Sequence, residues 1–413
     1  MRLSSSTRLF SLSGIPMVGN VVTGAIIGLT VSGSALCHKM AERDVSEDEV
    51  PEDCLELLDH LSAGAYLEGA PLPQPRVQSA YLHVTQRCNL TCRFCYSEDA
   101  GRNALEDPSL EDLSRAIDLL ASLGVSRLVI SGGEPFLRHD LPLIAERARR
   151  SGVNELIVLT NGLLVTRESA EPLTETVDCV AVAFDGASAS DPAHLRGEQR
   201  FDLLVRAVET VRSLGIGVRV LPTLHARNLS DMDRYQDLAD LLGATLGFSL
   251  LTGNVCELGD LSPTDGQLRE MGRRARELAG SGSDPLTERG SSLAARRSCG
   301  AGVRTLSVAA DGTVYPCHML HDQRLAMGSA FSDTPEKIMG GPVAQRLRCL
   351  DVAEIDGCAA CDARYLCGGG CRARALMSAG SLTAADPYCE LPRSHYEHIG
   401  ERLASRFAPR GGG

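Results

Sequence analysis

Cys88, Cys92 and Cys95 stand in the run Cys88-Asn89-Leu90-Thr91-Cys92-Arg93-Phe94-Cys95-Tyr96, spaced C-x3-C-x2-C. The odd number carries the information. A cubane of four irons takes four thiolates, so a tight loop of three leaves one iron open to an outside ligand, able to chelate an amino and a carboxylate group. A zinc knuckle is the competing reading, but zinc loops prefer paired C-x2-C hooks and a fourth local ligand. Downstream, the apolar run Leu128-Val129-Ile130 leads into Ser131-Gly132-Gly133-Glu134-Pro135, a glycine turn at the end of an expected strand. Farther on, Cys299 and Cys317 precede Cys358, Cys361, Cys367, Cys371 and Cys389, the last five spaced C-x2-C-x5-C-x3-C-x17-C.

The cysteine loop and the glycine turn together resemble the radical S-adenosylmethionine superfamily. The resemblance implies S-adenosylmethionine as cofactor and one site-differentiated 4Fe-4S cluster on Cys88, Cys92 and Cys95. It gives Glu134 and the backbone at Gly132 and Gly133 the methionine amino group. Asn161 and Asp185, each followed by glycine at a strand end, inherit contacts with ribose or methionine. Arg196 resembles the arginine that pairs with the methionine carboxylate. For Asn161, Asp185 and Arg196 a turn residue or surface charge is the plain alternative.

The downstream cysteines resemble the SPASM domain, which implies two auxiliary iron–sulfur clusters. Cys299, Cys317 and Cys371 would serve the first, and Cys358, Cys361, Cys367 and Cys389 the second. The first set is one thiolate short. Cys256 or Cys349 could complete it, or an iron stays open. His318 stands where anaerobic sulfatase maturases carry an aspartate as proposed base, so it is a candidate catalytic proton acceptor or a turn residue beside the cluster. Cys37, Cys54 and Cys179 have no motif context and read as buried apolar thiols.

These groups need a scaffold. From Ala80 the chain alternates short apolar runs with longer helical patterns, the signature of parallel α/β architecture. Strands are expected at 80–84, 127–131, 155–159, 179–184, 216–222 and 245–250, with Ser109 and Asp112 capping a helix that buries Leu110, Leu113, Ile117 and Leu120. Six such units match the superfamily's partial (βα)6 barrel, whose functional loops gather beyond the strands' carboxyl ends.

Ahead of the barrel, residues 9–37 carry no charge, yet Pro16, Asn20 and several glycines break the run below membrane-span length. The expected order is strand, turn at Gly19-Asn20, strand, then helices over Ser32–Glu42 and Asp53–Leu61. This small winged-helix-like α+β domain resembles the peptide-recognition module of ribosomal-peptide modification enzymes, similar to the peptide chaperone of pyrroloquinoline quinone biosynthesis. In that family a leader peptide adds as a strand to a sheet edge. No residue motif anchors the match, and a packing domain without peptide function is the alternative.

The resulting layout is a peptide-recognition-like domain at 1–70, a proline-rich linker at 71–79, the barrel at 80–255, a connection with a Gly/Ser-rich break at 256–295, the auxiliary-cluster domain at 296–395 and a tail at 396–413. A net charge of −12 and the lack of a basic aromatic stripe argue against nonspecific nucleic-acid binding. Fifteen cysteines in ligand-like clusters point to a reducing cytoplasm. The expected activity is a radical maturase that installs a thioether or carbon–carbon crosslink in a ribosomal precursor peptide, fed electrons by a flavodoxin or ferredoxin. Oxidation of a folded protein or small molecule, or a noncatalytic peptide-binding partner, are the alternatives.

Overall fold

The computed structural model describes residues 1–73, 76–97, 103–279 and 293–407. Part of the expected linker, the Gly/Ser-rich break at 280–292 and the glycine tail at 411–413 lie outside the described residues.

The N-terminal strands β1 (Thr7–Leu12), β2 (Ile15–Asn20) and β3 (Ile26–Gly28) form an antiparallel sheet in that order. The first hairpin turns at Ser13-Gly14, not at Gly19-Asn20. Both turn residues have positive φ, 49° and 81°, the backbone a two-residue hairpin demands. Gly19 and Asn20 instead end β2, and the Asn20 side chain builds the next turn. Its Oδ1 accepts from the amides of Val22 (2.9 Å) and Thr23 (3.2 Å), and its Nδ2 donates to the Ala65 carbonyl at 2.7 Å. Helices Val31–Glu42 and Leu55–Ala63 follow, burying Leu36, Cys37, Met40 and Leu61 against Val18 and Tyr66. The strands-then-helices order is thus as expected.

The barrel strands β4 (Ser79–His83), β5 (Arg127–Ser131), β6 (Glu155–Thr160), β7 (Cys179–Phe184) and β8 (Gly217–Leu224) run parallel in sequence order. The sixth expected strand is split into β9 (Thr245–Leu246) and β10 (Ser249–Leu250), both paired with β8. Gly247 makes the break: its amide donates to the Val220 carbonyl at 3.0 Å, and a Cβ there would stand 2.8 Å from the Arg219 side chain. Between β4 and β5, the Ser109 hydroxyl accepts from the Asp112 amide (3.1 Å) and starts helix Leu110–Ser122, which buries Leu113, Ala116, Ile117 and Leu120 on the sheet.

The sheet does not stop at β4. On its other side β11 (Thr305–Val308) pairs parallel, followed by antiparallel β12 (Thr313–Tyr315) and β13 (Gly328–Ser329), so the cysteine-rich domain continues the barrel sheet. The last helix, Glu390–Phe407, runs through residue 396, where a tail was expected to begin. It packs along helix Asp265–Ala279, with Ser394 Oγ donating to the Arg269 carbonyl (2.6 Å). The N-terminal sheet lies against the same region. Phe10, Leu12 and Met17 share a core with Val352, Leu366 and Tyr396, and Arg8 pairs with Asp351 at 3.1 Å. Among the described residues no helix is long and apolar enough to cross a membrane.

Candidate active site and cluster centres

The carboxyl ends of the barrel strands enclose a cavity of about 210 Å³. Cys88, Cys92 and Cys95 all line it, together with Gly132, Gly133, Asn161, Arg196 and His318. The two glycines explain how loop and turn meet. Gly133 donates to the Thr85 carbonyl (2.8 Å) and the Glu134 amide to the Arg87 carbonyl (2.9 Å), so the turn docks on the residues just before Cys88. A Cβ on Gly133 would fall 2.0 Å from the Arg87 carbonyl oxygen, and one on Gly132, at φ 131°, 2.3 Å from that of Thr85. Only glycine permits this backbone approach. From the other side the Arg93 amide donates to the Leu195 carbonyl (2.8 Å), which ties the cysteine loop to the segment carrying Arg196.

Glu134 does not line the cavity. It is fully buried, and its carboxylate accepts from the Thr160 hydroxyl (2.7 Å) and the amides of Asn161 (2.8 Å) and Phe136 (3.1 Å), joining the ends of β5 and β6. Burial pushes its pKa up to about 7 against the pull of those donors. Asn161 lies on the wall, its Nδ2 donating to Asn89 Oδ1 at 2.7 Å. Asp185 also stands back. It takes the Arg196 amide (2.7 Å) and pairs with the Arg196 guanidinium, which itself reaches the cavity wall. The side chains of Glu134 and Asp185 thus stand behind Asn161 and Arg196, which they hold by hydrogen bonds and which line the cavity.

His318 enters the same cavity from beyond β12. Its ring stacks on Tyr81 (3.9 Å between centroids, 21°) and stands edge-on to Tyr96 at 5.5 Å. Burial, helped by the nearby His321, lowers its pKa to about 3, so the ring is neutral. Tyr81, Tyr96, Thr223, Ser249 and Thr252 complete polar parts of the wall. Sequence reasoning missed them, although Thr223, Ser249 and Thr252 sit at or beside strand carboxyl ends, the same signal that singled out Asn161.

The downstream cysteines divide into two groups. Cys358, Cys361, Cys367 and Cys389 together line one cavity of about 150 Å³. Cys299, Cys317 and Cys371 cluster around Ala301, Leu320, Leu347 and Ala373. Cys256 and Cys349 are exposed and belong to neither group. Among the described residues no three His, Cys, Asp or Glu side chains gather closely enough for a single metal ion. A four-thiol cavity of this volume fits a larger body. Backbone amides aim at the sulfurs: Ala301 and Arg372 at Cys299, His318 and Met319 at Cys317, Gly370 at Cys367. Amides directed at thiolate sulfur are what a cluster cradle requires. Burial pushes the thiols of Cys317 and Cys367 up to about 12 and Cys92 up to about 11, so they keep their protons until a cluster draws them off.

A partial parallel barrel with a three-thiol cavity at its mouth, extended by a domain with two thiol groups, is the arrangement of an iron–sulfur enzyme with room for a small cofactor beside the thiols. Residues 82–239 match the family model for the radical SAM superfamily, and residues 299–362 that for an iron–sulfur cluster-binding domain. The chain is 30% identical over 353 residues to the mycofactocin maturase of Mycobacterium tuberculosis, covering 79% of this chain and 89% of that protein. It is 26% identical to the AdoMet-dependent heme synthase of Methanosarcina barkeri, over 74% of this chain and 94% of that one. Among solved structures, Streptococcus suis SuiB bound to its precursor peptide SuiA superposes with a TM-score of 0.61 at 14% identity, covering 94% of this chain and 99% of that one. The chain belongs to the radical SAM superfamily and carries a C-terminal iron–sulfur cluster-binding domain. Its cofactors are S-adenosylmethionine, a 4Fe-4S cluster and further iron–sulfur clusters in that domain.

Proposed function

We propose that this enzyme is a cytoplasmic radical maturase that forms an oxidative crosslink, a thioether or carbon–carbon bond, in a ribosomally made precursor peptide. The observation that carries the reading is the shared cavity, in which the cysteine loop, the glycine turn and His318 from the cysteine-rich domain face one space. Cys88, Cys92 and Cys95 hold the cluster, and the backbone at Gly132 and Gly133 with Arg196, braced by Asp185, orients the cofactor's methionine end. Asn161 supplies a polar contact on the same wall. When bound, the cluster and S-adenosylmethionine together would supply the radical chemistry able to take a hydrogen atom from a peptide carbon held in this cavity. Leu159, Ala183, Leu221 and Leu250 keep water from the reacting carbon.

His318 meets the peptide between the two domains. Neutral and stacked on Tyr81, it offers a ring nitrogen to a proton or hydrogen bond at the substrate. Cys358, Cys361, Cys367 and Cys389 would hold one auxiliary cluster, and Cys299, Cys317 and Cys371 would supply three thiolates to a second. Clusters held there would supply a nearby acceptor for the electron that an oxidative bond formation must release. The N-terminal sheet has the order for leader binding, and among the described residues no strand pairs with the outer edge of β3. Leu29 N–H and Ala25 C=O of the β3 segment point to β2, so Ile26 and Gly28 turn their backbone groups outward by strand alternation. A flavodoxin or ferredoxin supplies the electrons. The maturase relative and the precursor peptide bound to SuiB support this substrate, whereas the heme synthase relative keeps a small-molecule substrate as the outcome to test against.

The test is anaerobic reconstitution with iron and sulfide, then addition of S-adenosylmethionine and dithionite. Deoxyadenosine forms with the wild type and not with the Cys88, Cys92, Cys95 triple alanine variant. A loaded wild type that makes none, with or without candidate peptides, overturns catalysis. Turnover of a small molecule undiminished by deletion of 1–70 overturns the peptide substrate.

A further inference from the structure

A cleft of about 720 Å³ lies at the amino-terminal end of β4, on the opposite side of the barrel from the cysteine cavity. Its walls come from three parts of the chain: the turn Val21–Thr23 after β2, the approach to β4 at Arg76 and Gln78, and the segment Arg297–Arg304 around Cys299, with Arg348 above. Four arginines, Arg76, Arg297, Arg304 and Arg348, therefore line one space in a chain whose net charge is −12.

Their partners are few. Arg297 stands 3.6 Å from Asp351, a carboxylate already paired with Arg8 at 3.1 Å. Arg348 donates to the Met339 carbonyl (3.0 Å) and Arg297 to that of Cys349 (3.2 Å). Among the described residues no carboxylate pairs with Arg76, Arg304 or Arg348, while arginines elsewhere on this surface pair repeatedly with Asp or Glu. The stems of Arg76 and Arg304 lie over Gly124 and Gly300, each glycine with its would-be Cβ 3.5 Å from the arginine, which holds the heads toward the cleft. Arg304 is half-buried, and desolvation with the neighbouring Arg296 acts against its charge. Like charges gathered with few counterions cost stability, and an incoming carboxylate relieves that cost.

We infer that this cleft binds an acidic segment of the precursor peptide, with Arg76 and Arg304 as the two principal carboxylate anchors. The inference rests on the proposed peptide substrate and adds where and by what chemistry the peptide is held. An extended segment fits the site because three separate chain segments wall it as a groove, and planar guanidinium forks pair with carboxylates two bonds at a time. β3, whose outer edge pairs with no strand among the described residues, begins just beyond the turn that forms one wall, so a peptide laid along β3 reaches the cleft within a few residues. The cleft then fixes the peptide far from the cavity and leaves the reacting stretch free to move there.

The experiment measures fluorescence anisotropy with two labelled twelve-residue probes, (Ser-Glu)6 and (Ser-Gln)6, on the full cluster-loaded chain. The wild type binds the glutamate probe in a salt-sensitive manner and the glutamine probe at least about tenfold more weakly. Arg76→Gln with Arg304→Gln weakens glutamate-probe binding by about tenfold or more. Arg76→Lys with Arg304→Lys, which keeps the charge but loses the fork, binds the glutamate probe between the wild type and the double Gln variant and controls for folding, as does unchanged iron content. Equal binding of both probes, or unchanged binding in the double Gln variant, overturns the inference. So does displacement of no probe but retention of inorganic phosphate at the same arginines, which marks a phosphate site. Deoxyadenosine release without peptide is read on the same samples. Its loss in the wild type sinks the radical reading, whereas its survival beside failed probe binding sinks the cleft alone.

Discussion

Glu134→Gln separates a bracing carboxylate from a cofactor ligand. Burial raises the Glu134 pKa from an ordinary 4.5 to about 7. An acid whose folded pKa is raised stays protonated in the native state while the unfolded chain ionises, so stability falls as pH rises from about 4.5 and the loss is complete above about 7. At about 1.4 kcal/mol per tenfold change in proton affinity the whole effect is about 3 kcal/mol, of which about 2 kcal/mol falls between pH 5.5 and pH 8. Glutamine removes that pH dependence. It also turns an NH2 toward one of the three donors of Thr160, Asn161 and Phe136, at a pH-independent cost of about 1–3 kcal/mol. Hydrogen exchange in the β5 and β6 peptides, corrected for intrinsic rate, reads local opening reversibly. The wild type should lose about 25-fold more protection than Glu134→Gln between those pH values. Parallel pH dependence in the two proteins would refute the reasoning, as would a steeper loss in the variant.

Three further outcomes follow from other contacts. Gly133→Ala drives a methyl into the Arg87 backbone, 2.0 Å from its carbonyl oxygen, and a shift of the cysteine loop worth about 3 kcal/mol or more should cut S-adenosylmethionine affinity about a hundredfold with the auxiliary iron retained, as equilibrium dialysis and iron analysis read. Asp185→Asn removes the charge that holds the Arg196 fork, so cofactor affinity should fall about tenfold at unchanged iron content, and an unchanged Kd contradicts the bracing role. Asn20→Ala strips three hydrogen bonds from the β2–β3 turn and should raise exchange across 18–30 by an opening cost of about 1–3 kcal/mol, leaving the barrel peptides as they were.

Much of this site was legible because cluster and cofactor chemistry constrains spacing along the chain. The cysteine loop, the glycine turn and strand-end Asn161 are local patterns, and the strands at 127–131 and 179–184 have the expected bounds. What escaped depends on contacts across long separations. Nothing near Glu134 says that its acceptors are already taken by Thr160 and Asn161, and nothing near His318 says that it stacks on Tyr81. The hairpin turn was misplaced because Gly19-Asn20 is a stronger turn signal than Ser13-Gly14, while the deciding Asn20 contact to Ala65 lies 45 residues away. The split at Gly247 reflects packing on Arg219, which strand propensity does not see.

The pairing of β11 with β4 has a consequence for how the molecule is made. β4 is an early barrel strand to leave the ribosome, yet its partner on one side comes roughly 220 residues later, a wait of roughly 10 to 45 s at about 5–20 residues per second. Throughout that interval β4 presents an apolar, unpaired edge that any other strand can capture. Low expression temperature and slower crowding of nascent chains should therefore raise soluble yield, and a chain stopped ahead of residue 305 should aggregate even though its cofactor motif is complete. The domain that carries the extra clusters is also the cap that finishes the barrel's sheet.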